Sequence, residues 1–231
     1  MFKRYILLVL VLMACFSCAT VGQKRQADLH YKLGLSRLQD GQYQEAFVEF
    51  QKALKHKSDY KEVYNVLGYI YLKWGDFDNA RKSYEKAVGI DSQYSEAYNN
   101  LCYLDYREKQ YGQAVDDCKK ALSNPIYETP EKAFFNLGLS YLKLGKYDDA
   151  IKAFRQSTIR MGDFYPAYYQ LAIAYNAKGD YGDAASALQL AVRLDPRFHG
   201  DMEKAEDTFR RGEGLPGGSS DAAQIMEIFN Y

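Results

Sequence analysis

Few residues in this 231-residue chain have the types and spacing that could do chemistry. Gly212, Glu213, Gly214, Leu215, Pro216 and Gly217 spell G-x-G-x-x-G, the letters of a phosphate-cradling turn. Such a turn works between a strand and a helix, where its glycines let the backbone approach a pyrophosphate. No strand pattern precedes these letters and Pro216 sits inside them, so that context is missing. His30, His56 and His199 fall far apart in the sequence frame described below. No cysteine or carboxylate stands at metal-ligand spacing from them. The pairs Asp116-Asp117 and Asp148-Asp149 fall on solvent-facing parts of expected helices and read as solvated or paired to nearby lysines. Neither G-x-x-x-x-G-K-S/T nor G-x-S-x-G occurs. The expectation is a non-enzymatic protein with no cofactor, no metal and no small-molecule substrate.

Charge and composition narrow the remaining classes. Thirty basic residues balance thirty acidic ones, which disfavours a nucleic-acid binder, because phosphate contacts need an excess of Lys and Arg. Proline is scarce, at five residues, which permits long helices.

The N-terminus reads as a targeting segment. Lys3 and Arg4 precede an apolar run of ten residues, 5–14. A span of the bilayer needs about 20 apolar residues, so the run reads as a signal-peptide core. Leu12, Met13 and Ala14 before Cys15 resemble a bacterial lipobox, whose cysteine carries the acyl chains. Cys18 is the alternative: its preceding residues match less well, but its leader has the more usual length. The expected segments are a leader at 1–14 (or 1–17), then a lipid-anchored polar tether at 15–26. Neither cysteine is followed by Asp, which by resemblance to bacterial lipoproteins implies the outer membrane, with the body on its periplasmic face. Each buried CH₂ of an acyl chain adds roughly 0.8 kcal/mol to anchoring.

Beyond residue 26 the chain repeats itself. Similar stretches start at 27, 61, 95, 131 and 165, a spacing of 34 residues with one of 36. Counting places from each start, place 7 is Leu33, Leu67, Leu101, Leu137 and Leu171, expected to point into the seam with the second helix. Place 8 is Gly34, Gly68, Cys102, Gly138 and Ala172; place 20 is alanine throughout. Small residues at facing positions let helix axes approach closely. Gly41, Gly75, Gly145 and Gly179 stand where a first helix ends and a left-handed residue is wanted. This pattern resembles the tetratricopeptide repeat, a helix–turn–helix unit of 34 residues. The resemblance implies an all-α solenoid, a right-handed superhelix of five repeats (27–60, 61–94, 95–130, 131–164, 165–198), with a C-terminal capping region at 199–231. In that cap, residues 201–211 and 221–231 read as helices, the second with Ala222, Ile225, Met226 and Phe229 on one face.

In such a repeat the first helices line a concave groove. Place 9 offers Leu35, Tyr69, Tyr103 and Leu139, place 12 offers Leu72 and Tyr106, and place 5 offers Tyr31, Asn65, Asn99 and Phe135. Asn100, Asn136 and Gln170 stand at place 6. Apolar and aromatic lanes beside a lane of amides suit a polypeptide ligand, as a helix in a groove or as an extended strand. The third repeat is odd. Cys102 replaces glycine, Asp105 an aromatic, Lys109 the turn glycine and Cys118 an aromatic. An oxidising periplasm allows a Cys102–Cys118 disulfide. Places 8 and 24 read as offset by about one helical turn, which argues for two small reduced core residues instead.

The junction of the third and fourth repeats carries two extra residues. Asn124 before Pro125 is biased away from helix, Ile126 and Tyr127 form an exposed-looking pair, and Thr129-Pro130-Glu131 reads as a restart. Asn124-Pro125, Tyr127, Pro130 and Asn136-Leu137-Gly138 resemble the tetratricopeptide lipoproteins of type IV pilus biogenesis, the PilF, PilW and Tgl group. That resemblance implies a pilotin, which binds outer-membrane secretin subunits and promotes their localisation and multimerisation. The groove and the loop Asn124, Pro125, Ile126, Tyr127 are the expected contact surfaces. A general envelope scaffold, serving outer-membrane protein assembly or polysaccharide export, is the alternative.

Overall fold

The computed structural model describes the backbone of residues 2–213, 215 and 218–231, and the side chains of 21–213, 215 and 218–231. Every element among the described residues is helical: α1 (Phe2–Gln39), α2 (Tyr43–His56), α3 (Lys61–Lys73), α4 (Phe77–Ile90), α5 (Ser95–Arg107), α6 (Tyr111–Ser123), α7 (Pro130–Lys143), α8 (Tyr147–Arg160), α9 (Tyr165–Lys178), α10 (Tyr181–Leu194), α11 (Met202–Arg210) and α12 (Ser219–Phe229). The chain divides into two compact units, Met1–Ala97 and Tyr98–Tyr231, with the division inside α5. Cys15 and Cys18 lie outside the residues whose side chains are described. Residues 21–26, the later part of the expected tether, continue α1; Gln23, Lys24, Arg25 and Gln26 are good helix formers. No helix among the described residues is long and apolar enough to cross a membrane.

One contact sets the spacing inside each helix pair. A Cβ built on Gly34 would lie 2.5 Å from the Phe50 ring, on Gly68 2.5 Å from Tyr84, and on Gly138 2.5 Å from Phe154. Places 8 and 24 therefore touch, glycine against an aromatic face. In the third repeat the same two places are Cys102 and Cys118, and they form a disulfide with Cα atoms 5.2 Å apart. The expected offset of one turn is thus wrong, and the pair is bonded. In the fifth repeat Ala172 and Leu188 fill the two places, both buried in one cluster. A larger residue at place 8 goes with a smaller one at place 24.

Place 7 faces elsewhere than expected. Leu67, Leu101, Leu137 and Leu171 are buried, but Leu33 is 43% exposed. Leu67 joins the first unit's core with Ala27, Ala46, Phe50 and Ala53. Leu67 and Leu137 therefore pack against the helix pair before their own, and no helix pair among the described residues stands before that of Leu33.

The turns are built alike. After each first helix a residue with positive φ (Gly41, Gly75, Gly145, Gly179, at 70–93°) lets the next N–H reach back to a carbonyl five residues earlier, as Gln42 reaches Arg37. Lys109 takes the same conformation, with φ 62°, and Gln110 N–H still bonds the Asp105 carbonyl at 2.8 Å. A side chain there clashes with its own backbone, a penalty of roughly 1–2 kcal/mol.

At the junction, α6 ends at Ser123 and Asn124 turns extended. The Asn124 side chain accepts from Ile126 N–H at 3.2 Å, and its carbonyl accepts from Tyr127 N–H at 3.2 Å. Thr129 is the N-cap of α7 by position, without a side-chain capping bond, and Pro130 opens the helix. The Ile126-Tyr127 pair splits: Ile126 is 81% exposed, whereas Tyr127 is buried between Ala121 and Ala133.

Two substitutions test this packing. Gly138→Ala is expected to destabilise the second unit by about 1–3 kcal/mol in denaturant melts, and Phe154→Leu in the same chain to recover part of the loss. Lys109→Gly is expected to stabilise by about 1 kcal/mol, read as a higher urea midpoint at unchanged slope.

Candidate interaction groove

The expected groove lanes are partly consumed by the fold. At place 5 the first, second, fourth and fifth repeats close onto their own trailing turns, whereas Asn99 of the third pairs with α7. Tyr31 lies 5.1 Å from the Tyr60 ring and 6.0 Å from Phe50, and burial first, then Glu62, pushes its hydroxyl pKa up. Tyr60 donates to Asp28 at 2.9 Å. Asn65 hydrogen-bonds Tyr94, and Phe135 meets Phe164 edge-on at 5.2 Å. Tyr169 is fully buried and donates to Asp195 at 3.1 Å. Burial alone would raise Asp195, but the Arg197 guanidinium and backbone N–H bond it and hold it below the usual carboxylate range. Place 5 is therefore structural, because an aromatic or amide there satisfies the loop that ends its repeat or, in the third, α7.

The amide lane is likewise engaged. Asn136 donates to Asn99 Oδ1 at 3.0 Å, tying α7 to α5. Asn100 is half-buried and already has a partner. Gln170, the place 6 residue of α9, is buried and donates to Asp221 Oδ2 at 2.5 Å. Pairing among themselves removes these amides from a free lane: each buried donor would otherwise lose hydration without compensation.

Places 9 and 12 differ between the units. In the first, Leu35 and Leu72 are half-buried, and Tyr69 is 36% exposed beneath Lys73 Nζ, which sits 5.3 Å from its ring centre. In the second, Tyr103 is half-buried and its hydroxyl accepts from Arg107 at 3.1 Å. Tyr106 is half-buried, Leu139 is 8% exposed and Ile173 1%.

In the second unit α12 packs on α9, and also on α10 and α11. Ile225 and Ile228 enter the cluster that holds Leu139, Tyr169 and Ile173, and Tyr106, Phe135 and Leu142 pack against that cluster. Asn176, at place 12, donates to Glu227 at 3.0 Å. Tyr106 senses the same helix: burial, then the Asp221 carboxylate, pushes its hydroxyl up to about 12. The amphipathic face expected from Ala222, Ile225, Met226 and Phe229 is shifted. Asp221, Ala222, Ile225 and Ile228 are buried, whereas Met226 and Phe229 are half-buried. Sequence reasoning placed Gln170 in the amide lane but missed its partner Asp221, and missed Ile228. The available signal was a carboxylate spaced four and seven residues before two isoleucines.

The residues first considered for chemistry are placed as follows. His30 and His56 are not far apart: their rings stack at 5.7 Å, and His30 Nδ1 hydrogen-bonds Glu49 at 2.7 Å. Their places lie on facing helices of one repeat, which linear spacing hid. Among the described residues no group of three or more His, Cys, Asp or Glu is disposed to hold a metal ion. Asp117 is buried, not solvent-facing, and takes Lys120 at 2.8 Å; Asp148 is exposed and pairs with Lys178 at 3.0 Å. Gly212 follows α11 rather than a strand, and residues 214, 216 and 217 lie outside those described.

Tetratricopeptide-repeat family models match residues 61–94 and 135–197. Small glutamine-rich tetratricopeptide repeat-containing protein 2 of Mycosarcoma maydis is 30% identical over 92 residues, 38% of this chain. The match spans about a quarter, 24%, of that relative. Among solved structures, PilW, a type IV pilus biogenesis factor, is similar with a TM-score of 0.72 at 22% identity, over 87% of this chain and 90% of PilW. The pilF protein of Pseudomonas aeruginosa has a TM-score of 0.70 at 24% identity, over 89% of this chain and 99% of its own. MamA has a TM-score of 0.61 at 26% identity, over 71% and 95%. The chain carries tetratricopeptide repeats on an all-helical fold, an architecture that mediates protein–protein interaction.

Proposed function

We propose that this protein is a lipid-anchored pilotin of the type IV pilus secretin, without enzymatic activity. It is held at the periplasmic face of the outer membrane by Cys15, or by Cys18, and acts by gripping secretin subunits. The observation that carries the reading is the interrupted junction of the third and fourth repeats. There Asn124 and Pro125 stop one helix, Tyr127 is buried as a wedge, and Pro130 restarts the next. These residues carry the resemblance to the pilus lipoproteins. The fold likeness to PilW and pilF over most of each chain is consistent with it. An anchor confines the search for a membrane-bound partner, and repeat faces supply recognition without bond chemistry. The fold is shared beyond the pilus factors, with MamA among the similar structures, so a general envelope scaffold is the second reading.

Deleting the gene in its host is expected to abolish heat-resistant secretin multimers while secretin monomer persists, as read on immunoblots. Unchanged multimers would overturn the pilotin reading and leave the scaffold. Tyr69→Ala combined with Tyr103→Ala is expected to weaken capture of secretin monomer by roughly tenfold or more, with helical circular dichroism unchanged.

A further inference from the structure

The helix α12 does not extend the repeat stack as a sixth helix pair would. In a regular continuation α11 would pack flush on α10, as α9 packs on α8. Instead an open depression of about 490 Å³, lined by Ser186, Gln189, Leu190, Arg193, Gly200 and Met202, separates parts of α10 and α11. It is α12 that turns back onto α9. Gly212, after α11, and Gly218, before α12, both take positive φ.

The contact has the character of ligand recognition. Asp221 is 5% exposed, and its partner is the Gln170 amide at 2.5 Å; Asn176 holds Glu227 at 3.0 Å. Between these polar pins Ile225 and Ile228 are 0% and 3% exposed. The carboxylate and the two isoleucines stand at i, i+4 and i+7, the anchor spacing of a helix lying in a groove. A carboxylate buried against an amide specifies register at some cost in stability.

We infer that α12 is a resident stand-in for the partner. The α9 face of the second unit is a helix-binding groove, and its external ligand is an amphipathic partner helix with a carboxylate followed four and seven residues later by branched aliphatic residues. Partner entry displaces α12, which its covalent link to α11 keeps nearby for return. This inference rests on the groove being the partner surface, as proposed above. Its test uses no secretin, so it fails or stands independently of the pilotin reading.

The probe is a fluorescein-labelled peptide of residues 218–231, followed by fluorescence anisotropy. It is added to the full chain carrying a protease site inserted between α11 and α12, before and after cutting. A tethered α12 competes at an effective concentration in the millimolar range, so the uncut chain is expected to bind the peptide on the order of tenfold or more weakly than the cut chain. Peptides with Asp221→Lys or Ile225→Asp are expected not to enter. A second chain, Ile225→Asp with Ile228→Asp, uncut and helical by circular dichroism, is expected to bind the wild-type peptide as the cut chain does. Equal binding by cut and uncut chains, or entry of the Asp221→Lys peptide as readily as its parent, would overturn the inference.

Discussion

The contact between places 8 and 24 is the constraint on which each repeat depends. A helix axis approaches its partner only as near as the side chains between them allow. At Gly34, Gly68 and Gly138 nothing stands between the first helix and a ring, so the ring lies directly on backbone. The sum of the two residues matters, not either alone, which is why glycine with an aromatic, alanine with leucine, and cysteine with cysteine serve the same geometry. The third repeat exchanges the packing contact for a covalent one. A loop of this size, closed by a disulfide across 16 positions, constrains the unfolded chain by about 3 kcal/mol in the entropic account. That offsets what the repeat forgoes elsewhere, in the left-handed Lys109 and the buried Asp105.

With spacing set by place 8, the remaining first-helix residues divide between structure and recognition. Outside the third repeat, place 5 turns toward the end of its own repeat, where Tyr60, Tyr94 and Phe164 wait. Amides at place 6 bond groups on other helices, Asn136 the place 5 amide of Asn99 and Gln170 the carboxylate of Asp221. Only places 9 and 12 remain as a surface, and their exposure is unequal. Tyr69 stays open in the first unit, whereas Leu139 and Ile173 in the second are closed over. A protein that works by holding another polypeptide would then present its second unit's face already filled by a helix of its own.

That filling has a physical logic. The end of a repeat stack exposes an apolar face that must be covered. Here α11 supplies Phe209, which meets Tyr169 edge-on at 5.4 Å and Phe198 at 5.5 Å. Asp195, Arg197 and Tyr169 lock the turn that leads into it. The helix α12 joins the same end: Ala222, Ile225 and Ile228 share one buried cluster with Phe209, and the Phe229 ring lies 6.4 Å from the Phe209 ring, so one helix both covers the stack and fills the groove.

Much of this was legible in the residues alone. The 34-residue period, the turn glycines and Pro130 fix where helices begin and end, because each acts through local backbone sterics that need no knowledge of the rest. The junction at Asn124 was readable for the same reason. Whatever depended on which atoms meet across helices was not. The Cys102–Cys118 bond, the stacked His30 and His56, the burial of Asp117 and Tyr127, and the exposure of Leu33 all turn on the rotation of one helix against another. A few degrees of that rotation exchange buried for exposed, and linear spacing does not encode it. The course of α12 was decided only by tertiary structure: its amphipathic pattern demanded a partner surface, but Gln170 and Asn176 chose which one, by offering amides where Asp221 and Glu227 needed donors.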